Sequence, residues 1–341
     1  MPRILGIETS CDETAAAVLD DRVHVRSSVV ATQIDLHRSF GGVVPEIAAR
    51  RHVETIEEVI TQALERAHST WREIDAIAVT RGPGLIGSLL VGVCAAKAIA
   101  WQRDLPLLAI NHLEGHVRSP FIENPQITFP AVALVVSGGH TSLYLCPEED
   151  VYRGIARTRD DAAGEAFDKV AKLLGLGYPG GPVIDRISRG ADERAFDFPR
   201  AQMKDRSLDF SFSGIKTAVR RQAELEGLER HLGEGDEATP RLRDMVASFQ
   251  KAVVDVLVSR TVRACRKESV RTVLVAGGVA CNSRLREAFA DRAERENLAV
   301  YFPSPQYTTD NAAMIAAAGF LHYERRRFAS ADLGARASLP L

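Results

Sequence analysis

The 341-residue chain has no surplus of charge: 43 basic against 45 acidic residues leave a net charge of −2. That balance excludes a globally polycationic nucleic-acid binder, while a local basic face stays open. The apolar stretch Gly82–Ala96 carries no charge, yet it holds Pro83 and four glycines (Gly82, Gly84, Gly87, Gly92). At about 15 residues it is too short to span a bilayer. No export signal is expected, because Glu8, Asp12 and Glu13 stand where such a signal needs a long apolar core. The five cysteines (Cys11, Cys94, Cys146, Cys265, Cys281) are far apart and form no CxxC pair. They read as free thiols in a reducing compartment rather than a disulfide frame or a structural zinc site. There is no tandem repeat and no Walker A motif, and the glycine turns Ser137-Gly138-Gly139, Tyr178–Pro182 and Ala276–Val279 are not GxGxxG motifs. What remains is 45% hydrophobic and 26% charged, an ordinary globular composition. The length fits two domains or one large lobed one. A cytoplasmic protein with a deep cleft between two lobes is the expectation.

Two matching sets of signals divide the chain. Ile4–Ile7, a polar turn (Glu8–Thr14) and Ala15–Leu19 read as a hairpin. So do Ala131–Val136, the turn Ser137-Gly138-Gly139-His140 and Leu143–Cys146. A strand entering a glycine turn and then a helix also occurs twice. Ile74–Thr80 leads through Arg81-Gly82-Pro83-Gly84 to Gly87–Ala100, and Thr272–Val275 leads through Ala276-Gly277-Gly278 to Asn282–Ala293. This predicts a duplicated α/β architecture with a ligand between its halves. A charged, mostly helical stretch from Asp160 to Lys267 is interrupted at Leu208–Gly214, and Glu224–Pro240 reads as an exposed connection.

The sharpest chemical signal is Asn111-His112-Leu113-Glu114-Gly115-His116. Histidines four apart share a helix face and suit one metal ion, although both are also ordinary polar helix residues. Glu114 lies two positions after His112, about 200° around a helix. A metallopeptidase of the HExxH type therefore lacks its general base. Asp310, just before the alanine-rich Ala312–Leu321, is either a third ligand or a helix N-cap. Two histidines and a carboxylate leave coordination positions open, as a catalytic site requires.

Three glycine turns (Ser137-Gly138-Gly139, Tyr178-Pro179-Gly180-Gly181-Pro182, Ala276-Gly277-Gly278-Val279) are either simple turns or places where backbone N–H groups cradle phosphate. Asp161, Glu165 and Asp168 recur at helical spacing, either as a solvated face or as acceptors for ribose hydroxyls. Basic residues gather at Arg200, Lys204, Arg206, Lys216, Arg220 and Arg221, at Arg260, Arg263, Arg266, Lys267 and Arg271, and at Arg325–Arg327. Together they offer a surface for a phosphate backbone.

The segments Gly6–Thr14, Gly41–Glu46, Asn111–His116, Val136–Thr141, Asp161–Lys169 and Ala276–Val279 resemble the TsaD family of tRNA threonylcarbamoyladenosine transferases. The resemblance runs from Ile4 to about Gly319, and the Ser137–His140 loop follows the bacterial form. It implies the two-lobed actin-like ATPase (sugar kinase/heat-shock protein) fold, α/β with duplicated mixed sheets and an inserted helical region. Lobe I is expected at 1–108 and 310–330, lobe II at 109–309 with the metal helix, and a C-terminal tail at 331–341. The implied reaction moves the threonylcarbamoyl group of threonylcarbamoyl-AMP onto the exocyclic amine of the adenosine 3′ to the anticodon, in tRNAs reading codons that begin with A. His112, His116 and Asp310 would hold one iron(II), with zinc as the alternative. Val135, Val136, Ser137, Gly138, Gly139, Asp168, Gly181, Asp185 and Asn282 would bind the adenylate. The implied partners are tRNA, a paralogue lacking the metal site and a small P-loop ATPase, with no membrane. The small-residue helix Gly87–Ala100 is the expected partner surface. The rival readings are a small-molecule kinase or ATPase of the same fold, disfavoured because Mg²⁺ prefers oxygen ligands, and a non-catalytic scaffold.

Overall fold

The computed structural model describes residues 1–228 and 238–341, and its contacts separate two compact units. The first comprises Met1–Ile127 and Pro303–Leu341, the second Thr128–Phe302. The division therefore falls at 127/128 and 302/303 rather than at the expected 108/109 and 309/310. The histidine helix and the C-terminal tail both belong to the first unit.

The first unit is built on strands β1 (Ile4–Glu8), β2 (Glu13–Leu19), β3 (Val25–Thr32), β4 (Ala76–Gly82) and β5 (Leu107–Asn111), in the order β3-β2-β1-β4-β5. Its helices are α1 (Ile34–Arg38), α2 (Pro45–Arg66), α3 (Ile86–Arg103) and α4 (His112–Arg118), with α10 (Pro305–Thr308) and α11 (Ala312–Glu324) from the C-terminal segment. The second unit holds β6 (Ala131–Val136), β7 (Thr141–Glu148), β8 (Val151–Arg157), β9 (Thr272–Ala276) and β10 (Ala299–Tyr301), in the order β10-β9-β6-β7-β8. Its helices are α5 (Ala163–Leu173), α6 (Gly180–Ser188), α7 (Ser213–Glu226), α8 (Pro240–Glu268) and α9 (Ser283–Glu296).

The two sheets share one topology. β1 pairs antiparallel with β2 and parallel with β4, and β6 pairs antiparallel with β7 and parallel with β9. The expected duplication is present, with the hairpins and the strand–glycine–helix units where the sequence placed them. Because strand side chains alternate between faces, β1 sends Ile4 to the core under α11 and Leu5 and Ile7 to the core under α2 and α3. In the second unit Val132, Leu134 and Val136 of β6 pack with Phe167 and Phe249. The interruption expected at Leu208–Gly214 is a segment in which Phe210 bridges to Thr158, and Phe210 and Phe212 are fully buried and stacked. Of the expected connection Glu224–Pro240, α7 takes the start and residues 229–237 lie outside the described residues.

Candidate functional site

Two groups of residues come together, one in each unit. In the first unit α4 is only seven residues long and wholly buried. It starts at Asn111, whose side-chain oxygen accepts from Leu113 N. The i, i+4 spacing stacks the His112 and His116 rings edge to face, 4.7 Å between centroids. α4 lies close against α11 because residue 115 is glycine: a Cβ there would come within 2.8 Å of Ile315 Cδ1 and 3.2 Å of Met314 Cγ. That approach sets Asp310, at the head of α11, against the histidines. Its Oδ1 is 3.1 Å from His116 Nε2 and 3.6 Å from His112 Nε2. The sequence left Asp310 either as ligand or as N-cap. The cap is Asn311, whose side chain accepts from Met314 N at 2.9 Å, and Asp310 is left to the histidines.

The ligand atoms of His112, His116 and Asp310 all lie within 4.8 Å of one another. Two nitrogen or oxygen ligands on one ion are about 3.0–3.4 Å apart when each bond is about 2.1 Å, which the separations approach. Neither ring nitrogen of the buried His116 makes a well-aligned hydrogen bond among the described residues. The surroundings carry surplus negative charge. Burial pushes the Glu13 carboxyl well above its usual range, and Asp12, Asp310 and Glu8 push it further. The Cys11 thiol is raised by burial and by Asp12 and Asp310. A buried imidazole whose nitrogens make no well-aligned hydrogen bond among the described residues, set in a field of carboxylates, fits a bound cation.

Glu8 completes this arrangement, and the sequence reading missed it. It is fully buried at the end of β1, accepts from Thr80 Oγ1 at 2.6 Å and from Ser10 N, and lies 3.2 Å from His112 Nδ1. Ser10 Oγ is 3.1 Å from the same nitrogen. Burial alone would lower the His112 pKa, but Asp310 and Glu8 outweigh it and raise the pKa to about 9. Burial holds His116 below its ordinary value. A carboxylate on Nδ1–H leaves the Nε2 lone pair for a metal and fixes the ring. The one available signal was a charge ending the apolar run Ile4–Ile7. Replacing Glu8 by glutamine is expected to weaken metal binding by about 10–100-fold, read by titrating the metal-free protein with iron(II) or zinc. Glu114, expected to turn away from a metal, lies 3.2 Å from His322 Nε2 of α11.

In the second unit the substrate residues drawn from the resemblance gather at the C-terminal ends of the parallel neighbours β6 and β9, where open α/β sheets bind ligands. Val135 and Val136 end β6, and the Ser137–His140 loop is closed by Ser137 N to His140 O, 2.8 Å. The glycines fall into two kinds. At Gly138, Gly139 and Gly181 an added Cβ would meet no protein atom within 4 Å. At Gly164, Gly180 and Gly277 it would collide with Ser137 O (2.6 Å), Phe167 O (2.6 Å) and Val136 O (2.4 Å). Asp168 Oδ1 accepts from Gly180 N at 2.7 Å, and Asp185 Oδ1 from the Ser283 hydroxyl at 2.7 Å. Asn282 caps α9 through Leu285 N. Asp161 and Glu165 are drawn off as ion pairs with Lys169, at 2.6 and 2.9 Å. Among the basic residues, Arg200 pairs with Asp255, Arg220 with Glu224 and Arg266 with Glu296. Arg260 is buried against the Ser207 and Ala201 carbonyls.

Residues 24–317 match the family model TsaD: tRNA N6-adenosine threonylcarbamoyltransferase. The tRNA N6-adenosine threonylcarbamoyltransferase of Syntrophobacter fumaroxidans is 52% identical over 335 residues, covering 98% of each chain. That of Syntrophotalea carbinolica is 50% identical over 338 residues, covering 99% of this chain and 96% of its own. Among solved structures, component A of (R)-2-hydroxyglutaryl-CoA dehydratase from Acidaminococcus fermentans superposes with a TM-score of 0.56 at 15% identity, covering 96% of this chain and all of that one. Full-length HypF does so at 0.61 and 13%, covering 97% of this chain and 56% of its own. These neighbours share the fold, the expected actin-like ATPase architecture of two five-stranded mixed sheets.

Proposed function

The chain belongs to the TsaD family of tRNA N6-adenosine threonylcarbamoyltransferases, and on that premise we propose that it carries the threonylcarbamoyl group of threonylcarbamoyl-AMP to tRNA. The acceptor is the exocyclic amine of the adenosine 3′ to the anticodon, in tRNAs reading codons that begin with A, and the reaction belongs in the cytoplasm. The observation that carries this reading is identity of about half the residues across essentially the whole length of such transferases.

The donor is a mixed carbamic–phosphoric anhydride with a good leaving group. The amine nitrogen bonds to the carbamoyl carbon as the bond from that carbon to the AMP oxygen breaks, and the amine loses a proton. Positioning and charge stabilisation suffice for such a step, and no covalent enzyme intermediate is needed. Val135, Val136, Ser137, Gly138, Gly139, Asp168, Gly181, Asp185 and Asn282 bind the adenylate. The open space at Gly138, Gly139 and Gly181 supports this, because it lets backbone N–H groups approach the phosphate and stabilise its departure. Alanine at Gly139 or Gly181 is therefore expected to raise KM for the adenylate with an unchanged melting temperature. Alanine at Gly277, where φ is +94°, should lower the melting temperature outright.

His112, His116 and Asp310 hold one metal ion, and two histidines with one carboxylate suit iron(II), with zinc as the alternative. When bound, the ion supplies a Lewis acid for charge developing on oxygen. Glu8 holds the proton on His112 Nδ1, which leaves Nε2 as the nitrogen that would bind the ion.

The enzyme works with a paralogue lacking the metal site and a small P-loop ATPase. The outward face of α3 supports docking of the paralogue: Ile86, Leu90 and Trp101 are exposed along one helix, Trp101 at 88%. The isolated chain should accordingly turn over weakly. The deciding experiment incubates the protein, with and without its partners, with threonylcarbamoyl-AMP and unmodified tRNA, then weighs the nucleosides. Threonylcarbamoyladenosine that disappears in His112→Ala supports the reading. No product under any condition would sink it in favour of a small-molecule kinase.

A further inference from the structure

The loop after β9 ends at Asn282, and nearly every polar group of that residue is committed. Its backbone N donates to Val279 O and its carbonyl accepts from Arg286 N. Its side-chain oxygen accepts from Leu285 N at 2.9 Å. Since Leu285 N can only donate, the atom facing it must be Oδ1, and Nδ2 must be turned the other way. There Nδ2 donates to Gln250 Oε1 at 2.7 Å. One Nδ2 hydrogen remains for anything else.

Gln250 lies in the middle of α8 and is only 4% exposed, among Val246, Phe249, Val253 and Val254. An amide buried in such an apolar helix face costs stability unless it is hydrogen-bonded. Its Oε1 accepts from Asn282, 32 residues later in the chain. Asp185 of α6 holds the neighbouring Ser283 through its N–H and hydroxyl. Asp185 thus anchors the start of α9, while Gln250 holds the carboxamide nitrogen of Asn282.

We infer that Gln250 is a positioning residue of the adenylate site, setting the rotamer of Asn282 so that its remaining amide hydrogen is offered to the donor. This rests on the reading of Asn282 as an adenylate contact. Gln250 itself touches neither substrate nor metal, and its acceptor oxygen is the part that matters. Glutamate retains that oxygen at the same reach, whereas methionine keeps the length and apolar packing but supplies only a weak acceptor.

The test compares Gln250→Met, Gln250→Glu, Asn282→Ala and the double variant Gln250→Met/Asn282→Ala, each with its partner proteins. Readouts are kcat, the separate KM values for threonylcarbamoyl-AMP and tRNA, metal content and melting temperature. Gln250→Met is expected to raise KM for the adenylate about tenfold, the order of one well-placed hydrogen bond. The KM for tRNA, kcat and metal content should stay within about twofold on the same reasoning. Gln250→Glu should recover most of the loss. The double variant should match Asn282→Ala, since Gln250 acts through that residue. If Asn282→Ala leaves the adenylate KM unchanged, the adenylate reading of Asn282 itself fails. If Asn282→Ala raises it and Gln250→Met does not, the reading survives and the inference falls. Multiplying effects in the double variant would overturn it, as would a Gln250→Met chain that does not fold, which would make Gln250 a core-packing residue.

Discussion

Replacing His116 by alanine is expected to remove the metal and reduce threonylcarbamoyl transfer by about a thousandfold, the several kcal/mol that Lewis-acid stabilisation contributes. The fold should survive. α4 keeps its Asn111 cap, its Gly115 contact with α11 and its buried Leu113 and Val117. His112→Ala should be equally inactive yet less stable, and the difference has a cause. His116 leaves behind only Asp310, which is partly exposed, whereas His112 leaves the fully buried Glu8 carboxylate without its imidazole. Breaking a buried pair by removing one partner costs about 3 kcal/mol. The two variants should thus share a metal content near zero and differ in melting temperature, His112→Ala melting earlier. Metal analysis with calorimetry on both decides it. Equal melting temperatures would remove Glu8 from its role as the carboxylate behind His112.

Much of this arrangement was legible because the relevant signals are local. The i, i+4 histidines need only a helix to share a face, and the two hairpins announced themselves as apolar runs around small polar turns. The duplication followed from those local units, since strand–glycine–helix sequences can be read without knowing the fold. What stayed hidden depends on contacts across long sequence separations. Glu8 and His112 are 104 residues apart, and nothing near either names the other. Asn282 and Gln250 meet only because α8 packs behind β6 and beside α9. The choice between Asp310 and Asn311 as cap turned on one residue of phase, which backbone geometry decides and composition does not. The basic clusters show the converse hazard. Consecutive arginines suggest one surface, yet Arg260 and Arg266 of the same cluster answer to different structural partners, one buried against carbonyls and one on Glu296.

Alanine at Gly6 is expected to damage both the fold and the metal site, although Gly6 touches no ligand. It lies in the middle of β1, the central strand of its sheet, directly beneath α11. A Cβ there would come within 2.3 Å of the Ala312 carbonyl oxygen and 2.9 Å of Ala316 N. Both are backbone atoms of the helix, so no side chain can swing aside and the first turns of α11 must move. Overpacking of this kind costs about 3 kcal/mol, and in a domain of this size that lowers the melting temperature by roughly 6–12 °C. Asp310 stands two residues before Ala312 and travels with it, away from His112 and His116, so metal affinity should fall alongside stability. Trimming Ala316 to glycine in the same chain offers a control. It removes the Ala316 Cβ contact at 3.1 Å but leaves the backbone collisions, so it should not rescue Gly6→Ala. Recovery of metal binding in the double variant would mean that side-chain crowding, rather than the seating of the α11 backbone on β1, sets the position of the carboxylate ligand.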